Sequence, residues 1–492
     1  MEALQTLPKM CDYGEPMGVV PSGTENYSVT NYAINGSVFS PSQQIIVDLN
    51  NVGYLDPDSV IIRYKLSLTI PTQAAIQANG TSYSIPGCPV YTPFLRLDTL
   101  FNSNVVESIN NYNSVCTALS NLSMSVSDKM GQAASLGYIE QQYAASNLGV
   151  LSAAVPPVDY STVNENTDGL TVIVTNAAAT TVATTISYYL SAPLPCLLSN
   201  AEKLIPLNGT NIRLQFTLDS LANICPTAST TIGTTTPSQA GAFSALSISN
   251  FEVVYNQIQF PPHIEQRMLA HSKIKIKTSS YATGLQTLPT ATAGTVNLVY
   301  NLRYASIKSM LLLLGSSSAN ATNKLFESID MTSGGGSYNF QVNGVYYPQN
   351  PLSTVNNRGG VLAELRNAMR DMYSGNNSMA IDTREWLYGD TSTLANGLIG
   401  IGANNGGLSV AQATSINIPS KFYVGTSTKK LNSWGSETSP FFSGISSQNS
   451  PITAVINVGS QATSLSYSPI LVLFYDSVIE IDTLTKQVNY IY

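Results

Sequence analysis

The chain holds 492 residues, carries a formal net charge of −7, and has only 10% charged residues, against about 25% in an average soluble protein. That length leaves room for two or three domains with substantial cores, and without a Lys/Arg-rich tail it lacks the means to bind nucleic acid intimately by neutralising phosphates. Ser, Thr, Asn and Gln replace charges on the surface, which weakens the repulsion that keeps copies of a protein apart and makes self-association easier.

The first residues, MEALQTLPKMCDYGEPMG, hold no apolar run of signal-peptide length. The greasiest stretches, MLLLLG (310–315) and PILVLF (469–474), fall far short of the ~20 residues of a spanning helix. The chain is expected to be neither secreted by that route nor embedded in a membrane. From about residue 28, short alternating or β-branched runs predict strands: QQIIVDL (43–49), SVIIRYKLSLTI (59–70), LTVIVT (170–175), TTISYYL (184–190), NIRLQFTL (211–218) and FEVVYNQIQF (251–260). Turn-forming pieces such as NVGYLDPD and TPSQAG separate them, the pattern of a sandwich or barrel. One helix is predicted among these strands, over 103–122. There Val105, Ile109, Tyr112, Cys116 and Leu119 share a face, and Asn104 with Glu107 has capping-box spacing.

Between the halves, PPHIEQRMLAHSKIKIKTSSYATG (261–284) predicts a short helix and then a strand. In SKIKIK, Lys273, Lys275 and Lys277 share one face. They read as guards of an edge strand against stray pairing, or as a subunit contact made by three charges. The second half then repeats the plan, with strands at 295–304 and 306–314, a strand ending in aromatics at 337–348, and a helix at 358–373 presenting Val361, Leu365, Met369 and Met372. The strands KFYVGT and SPITAVINV follow, and the last is PILVLFYDSVIEID (469–482). Its Tyr475-Asp476-Ser477-Val478 echoes Tyr255-Asn256-Gln257-Ile258, 220 residues earlier, about one all-β domain. Three long Thr/Ser/Ala/Gly-rich segments, 141–169, 225–246 and 391–416, read as outward projections.

Chemistry is hard to find. The two histidines, His263 and His271, match no metal spacing. No Gly-x-Ser-x-Gly elbow or Walker Gly-Lys-Ser/Thr occurs, and Gly400, Gly402 and Gly406 in LIGIGANNGG miss the dinucleotide spacing by one residue. The five cysteines, Cys11, Cys88, Cys116, Cys196 and Cys225, are odd in number and widely spaced. They read as free thiols rather than a disulfide framework, with Cys116 buried on its helix face. The abundant aromatics, including Tyr346-Tyr347-Pro348 and Phe441-Phe442, suit core or subunit packing more than a carbohydrate platform. No catalytic residue, cofactor site or metal site is assigned, and no enzymatic activity is expected.

A duplicated all-β chain with a helix in each copy and long polar loops resembles the double jelly-roll major capsid proteins of icosahedral double-stranded DNA viruses. The phrases NFQVNGVYYPQNPL (339–352), NLRYASIKSMLLLL (301–314) and FFSGISSQNSPITAVINVGS (441–460) resemble the polinton-like virus and virophage branch most. The resemblance implies two consecutive eight-stranded jelly rolls with short helices in the loops: an arm at 1–27, a first roll at 28–258 and a second at 259–492. It implies a homotrimer whose six rolls form a pseudo-hexameric capsomer. The partners would be neighbouring capsomers, penton proteins and minor capsid proteins, with no direct sequence-specific contact to nucleic acid. The chain would be made in the host cell cytoplasm and end in the virion. The competing readings are a trimeric viral spike or fibre, a carbohydrate-binding β-sandwich protein, and a β-sandwich hydrolase.

Overall fold

The computed structural model describes residues 22–49, 52–71, 81–138, 140–144, 169–175, 183–226, 239–269, 273–288, 294–316, 326, 328, 330–332, 335–372, 379–381, 386, 421–430, 442–459, 467–483 and 485–492. The first half contributes eight principal strands: β1 (Glu25–Tyr32), β2 (Gln44–Asp48), β3 (Ile61–Ile70), β4 (Phe94–Phe101), β5 (Asn104–Asn110), β6 (Thr184–Pro193), β7 (Ile212–Leu218) and β8 (Ala245–Gln259). Antiparallel ladders join them into two sheets, ordered β1-β8-β3-β6 and β2-β7-β4-β5. The second half supplies β9 (Lys273–Leu285), β10 (Gly294–Tyr300), β11 (Ile307–Ser316), β12 (Ser337–Val342), β13 (Val345–Leu352), β14 (Tyr423–Ser427), β15 (Ile452–Val458) and β16 (Tyr467–Asp482). Its sheets run β9-β16-β11-β14 and β10-β15-β12-β13. The second pair of sheets is the first with eight added to every label: one jelly roll, built twice.

The two tyrosines that flagged the duplication hold matching places. Val254 is the last residue of β8 to pair with β3, and Tyr255 follows it; Tyr475 is the last residue of β16 to pair with β11. Beyond these points each closing strand continues along its first strand, Tyr255 opposite Val29 and Tyr475 opposite Ser280. Both tyrosines are buried.

Alternation decides which face of each strand is inside. Ile62, Tyr64, Leu66, Leu68 and Ile70 form the buried row of β3, and β7 and β15 alternate likewise. In the first roll Tyr64 and Phe251 from one sheet meet Phe94 and Phe216 from the other, with ring centroids 5.0–6.0 Å apart. Edge-to-face contacts of this kind add to the area they bury. The run Met310–Leu314 breaks the alternation, since every one of its side chains is buried. The helix α3 (Thr354–Met372) explains this: it lies over β11 and β14 and buries Val361, Leu365, Ala368, Met369 and Met372. Its close approach depends on Gly425 in β14, where a Cβ would sit 3.1 Å from the Ala368 side chain and 2.9 Å from the Met310 carbonyl oxygen. Two earlier helices are α1 (Tyr112–Ser123), buried within the first roll, and α2 (Pro262–Leu269), which links the rolls.

Two sequence-based expectations need correction. The stretch 103–122 is not one helix: Asn104–Asn110 is β5, and α1 begins at Tyr112 after Asn111 turns at φ 52°. Asn102 and Ser103, at φ 49° and 70°, make a two-residue hairpin turn whose handedness suits strand twist, so the β-branched Val105, Val106 and Ile109 run back along β4. Tyr112, Cys116 and Leu119 do share the buried helix, whereas Val105 is exposed and Glu107 caps nothing. Likewise 337–348 is a hairpin rather than one strand. Asn343-Gly344, φ 52° and 79°, reverses the chain between β12 and β13.

The stretch 170–175 is a strand, but it belongs to neither roll. Residues Thr81–Pro86, Glu140–Ala144, Gly169–Thr175 and Gln239–Ala240 form a separate small sheet from three connections of the first roll. Tyr83 packs there on Phe243, centroids 5.3 Å apart. Of the projections, 145–168, 227–238 and all of 391–416 lie outside the described residues, as do Cys11, His271, Phe441 and the glycines of 398–407.

Candidate assembly surface and the seam between the rolls

The two rolls meet where β5, an edge of the first, lies beside β9, an edge of the second. Glu107 of β5 accepts a hydrogen bond from Ser280 of β9, and three residues further along both strands Thr283 Oγ1 donates to the Asn110 carbonyl at 2.7 Å. The strands therefore run in the same direction, and the rolls point the same way. In each roll the third strand ends, and the sixth and eighth begin, at one end, so the long connections leave both rolls on one side. The start of β1, at Glu25 opposite Gln259, lies at the other.

Polar contacts line the seam from end to end. Asn121 of α1 donates to the Tyr423 hydroxyl (3.1 Å), and the Ala380 amide donates to the Leu122 carbonyl (2.7 Å). Further down, Thr278 Oγ1 donates to Leu197 O (2.6 Å) and Asn200 Nδ2 to Ser279 O (3.0 Å), and Asn102 Nδ2 donates to Lys486 O (2.7 Å) at the far end. The three lysines of SKIKIK lie on an edge strand, as the guarding role expects, and all three find carboxylate partners within the chain. Strand β9 is an edge of its sheet, and Lys273 and Lys275, both largely exposed, reach Glu480 on the neighbouring strand at 2.7 and 3.3 Å. Lys277 crosses the seam to Glu202 of the first roll at 3.2 Å. Such exposed pairs as the first two add little stability each.

Glu107 is the most demanding residue of the seam. It is 2% exposed. Besides Ser280 it accepts from Thr99 Oγ1 and from the Leu197 amide, both at 2.8 Å. Burial pushes its carboxyl up to about 7 against the pull of those three donors, with Asp98 adding to the rise. A second buried charge sits nearby in the second roll. Lys308 Nζ lies 3.1 Å from Asp476, whose side chain is fully buried, and 4.5 Å from the centre of the Phe474 ring. Asp476 also accepts from the Ser306 hydroxyl (3.0 Å), and Ser279 Oγ stands 2.8 Å from Lys308 Nζ. Burial lowers Lys308 below the usual ammonium range, and Asp476 opposes that shift.

Among the described residues no group of three or more His, Cys, Asp or Glu is placed to hold a metal, and no helix is long and apolar enough to cross a membrane. His263 lies on the linking helix α2. Cys88, Cys116, Cys196 and Cys225 are unbridged and buried; burial raises all four thiols, Cys196 to about 12, which keeps them from acting as thiolates. The exposed large apolar side chains include Tyr27 and Tyr32 on β1, Val345 and Tyr346 on β13, and Phe442.

No protein-family model matches the sequence, and neither does any curated protein. The folded chain does match solved structures over nearly its whole length. The mavirus major capsid protein superposes with a TM-score of 0.52 at 10% identity, over 100% of this chain and 96% of that one. A chain from the Sputnik virophage structure gives 0.53 at 12% identity, over 100% and 93%. VP54 of PBCV-1 gives 0.52 at 10% identity, over 98% and 99%. Identity this low speaks to fold, and the likeness runs over nearly the whole of each chain. The chain has the double jelly-roll fold, in common with major capsid proteins such as that of mavirus.

Proposed function

We propose that this chain is the major capsid protein of an icosahedral double-stranded DNA virus, a structural protein without enzymatic activity, working as a homotrimer that sets six rolls in a ring. The observation that carries this reading is the duplication itself: two rolls of one topology, side by side, pointing the same way, with their long connections on one side. Three such chains supply the outline of a sixfold object with threefold symmetry, which suits a hexagonal lattice position. The small loop sheet on the first roll then belongs to the outer face. The partners are neighbouring capsomers, penton proteins and minor capsid proteins, and the chain is made in the host cell cytoplasm before entering the virion. With 22 Lys and Arg against 29 Asp and Glu, the chain leaves genome condensation to other components.

In this reading the arm, expected at 1–27, ends where β1 begins at Glu25, and the division between the rolls, expected at 258/259, falls just after β8 ends at Gln259. Strand β1 begins at the end opposite the long connections, so the arm leaves from the inner face, where it can reach a neighbouring capsomer or a minor capsid protein. Deleting residues 2–20 is expected to leave trimers intact by native mass spectrometry and to abolish closed shells by electron microscopy. Intact shells from the truncated chain would refute the role of the arm. The capsid reading itself is tested by the mass of the full chain under native conditions: three times 52.5 kDa supports it, and a monomer at micromolar concentration contradicts it.

A further inference from the structure

We propose that the β13 edge of one chain docks on the β1 edge of a second copy, repeating between chains the contact that β5 and β9 make within one. This rests on the capsid reading and names the surfaces that would form its trimer. Each roll has a first-strand edge and a fifth-strand edge. Within the chain, the fifth strand of roll one, β5, meets the first strand of roll two, β9. The fifth strand of roll two, β13, and the first strand of roll one, β1, are left at opposite ends of the pair, each with a backbone ladder to a single neighbouring strand among the described residues.

The ladders give a residue-by-residue correspondence. Val29 faces Tyr255 as Ser280 faces Tyr475. The seam residues Thr278, Ser280 and Thr283 therefore correspond on β1 to Tyr27, Val29 and Tyr32. On the other strand, the third ladder pair from the hairpin turn is Thr99–Glu107 in roll one and Phe340–Tyr347 in roll two, so Tyr347 stands where Glu107 stands. The two surfaces differ in chemistry as an internal and an external contact should. Inside the chain the β9 hydroxyls donate to the Glu107 carboxylate and to the Leu197 and Asn110 carbonyls, contacts made once at folding. The free edges are apolar and aromatic: Tyr27 is 46% exposed, Tyr32 63%, Val345 53% and Tyr346 43%. Tyrosine tolerates water before assembly and supplies large contact area after it, which is why interfaces are rich in it.

Strand addition does not account for these edges. Pro348 and Pro351 in β13 lack the N–H groups that a continuing ladder needs. The internal model makes the same choice, since β5 and β9 are held by side chains and belong to different sheets. The contact is heterologous, β13 to β1, and such contacts close into rings when the rotation permits. Three chains would alternate three internal seams with three external ones.

The test is a disulfide trap with Val29→Cys and Tyr347→Cys in one chain, mildly oxidised and run without reductant. Dimers and trimers that stop at three chains, absent from either single variant, are expected. Native trimers without the crosslink would overturn the proposed surfaces while leaving the capsid reading standing; absence of any trimer in the unaltered protein would sink both. Self-crosslinking of the V29C single variant would indicate a twofold contact and overturn the head-to-tail arrangement. Y27K, at an exposed position that corresponds to the seam-buried Thr278 and that the monomer does not need for its core, provides an independent readout. It is expected to weaken trimers at least tenfold with an unchanged circular-dichroism spectrum, and unchanged trimers would count against the proposal.

Discussion

Replacing Glu107 with Gln is expected to stabilise the folded chain at pH 8 and to flatten the loss of stability that the unaltered protein shows between about pH 5 and 8. Glu107 has its folded-state carboxyl raised from 4.5 to about 7. Below pH 4 it is protonated in both folded and unfolded chains, and its contribution is fully present. As the pH rises past 4.5 the unfolded chain releases the proton while the folded chain retains it, so stability falls until the folded group also ionises near 7. The span corresponds to about 3 kcal/mol. Gln keeps the shape without the charge: its oxygen can accept from Leu197 N–H and Ser280, and its amide can donate to Thr99. Denaturant midpoints across pH 5–8 for the two proteins check this, and parallel curves would show that Glu107 does not titrate in the seam. Glu107→Ala serves as the contrast. It abandons three buried donors, at about 1–3 kcal/mol for each one left unpaired, and should weaken the seam at every pH.

Asp476→Ala is expected to cost about 3–5 kcal/mol, because it strands the Lys308 ammonium beneath Phe474 with its counter-charge gone. The Ser279 and Ser306 hydroxyls lose an acceptor at the same time. Exchanging both partners for apolar residues, Lys308→Met with Asp476→Leu, should recover most of that loss, since desolvating an ion pair offsets much of its attraction. A double-mutant cycle from urea midpoints separates the two cases. If D476A is no worse than the double replacement, the pair is not a buried dependency of the second roll.

Much of this architecture was legible because half-buried strands write their burial as alternation. Runs such as IIRYKLSLTI and ITAVINV could be placed without a structure, and the paired tyrosines 220 residues apart pointed to the duplicated roll. The misreadings have local causes. Val105, Ile109 and Tyr112 happen to fall at helical spacing, and Asn104 with Glu107 matched a capping box although both lie in the strand that follows the Asn102-Ser103 hairpin turn. Asn343-Gly344 carried a strong hairpin signal that the aromatic run after it obscured. MLLLLG could be placed as a strand, but its burial on both faces depends on a helix about fifty residues downstream. The seam was illegible for a deeper reason. Glu107 becomes special only when Leu197 and Ser280 arrive from 90 and 173 residues away, and nothing in the letters VVESIN records that meeting.

The central claim is that two like rolls in one chain make three chains look like six. Negative-stain images of the purified full-length protein test this most directly. Class averages should show compact particles with threefold symmetry and a hexagonal outline. Monomers would contradict the account, and so would long threefold rods, which would favour a spike or fibre.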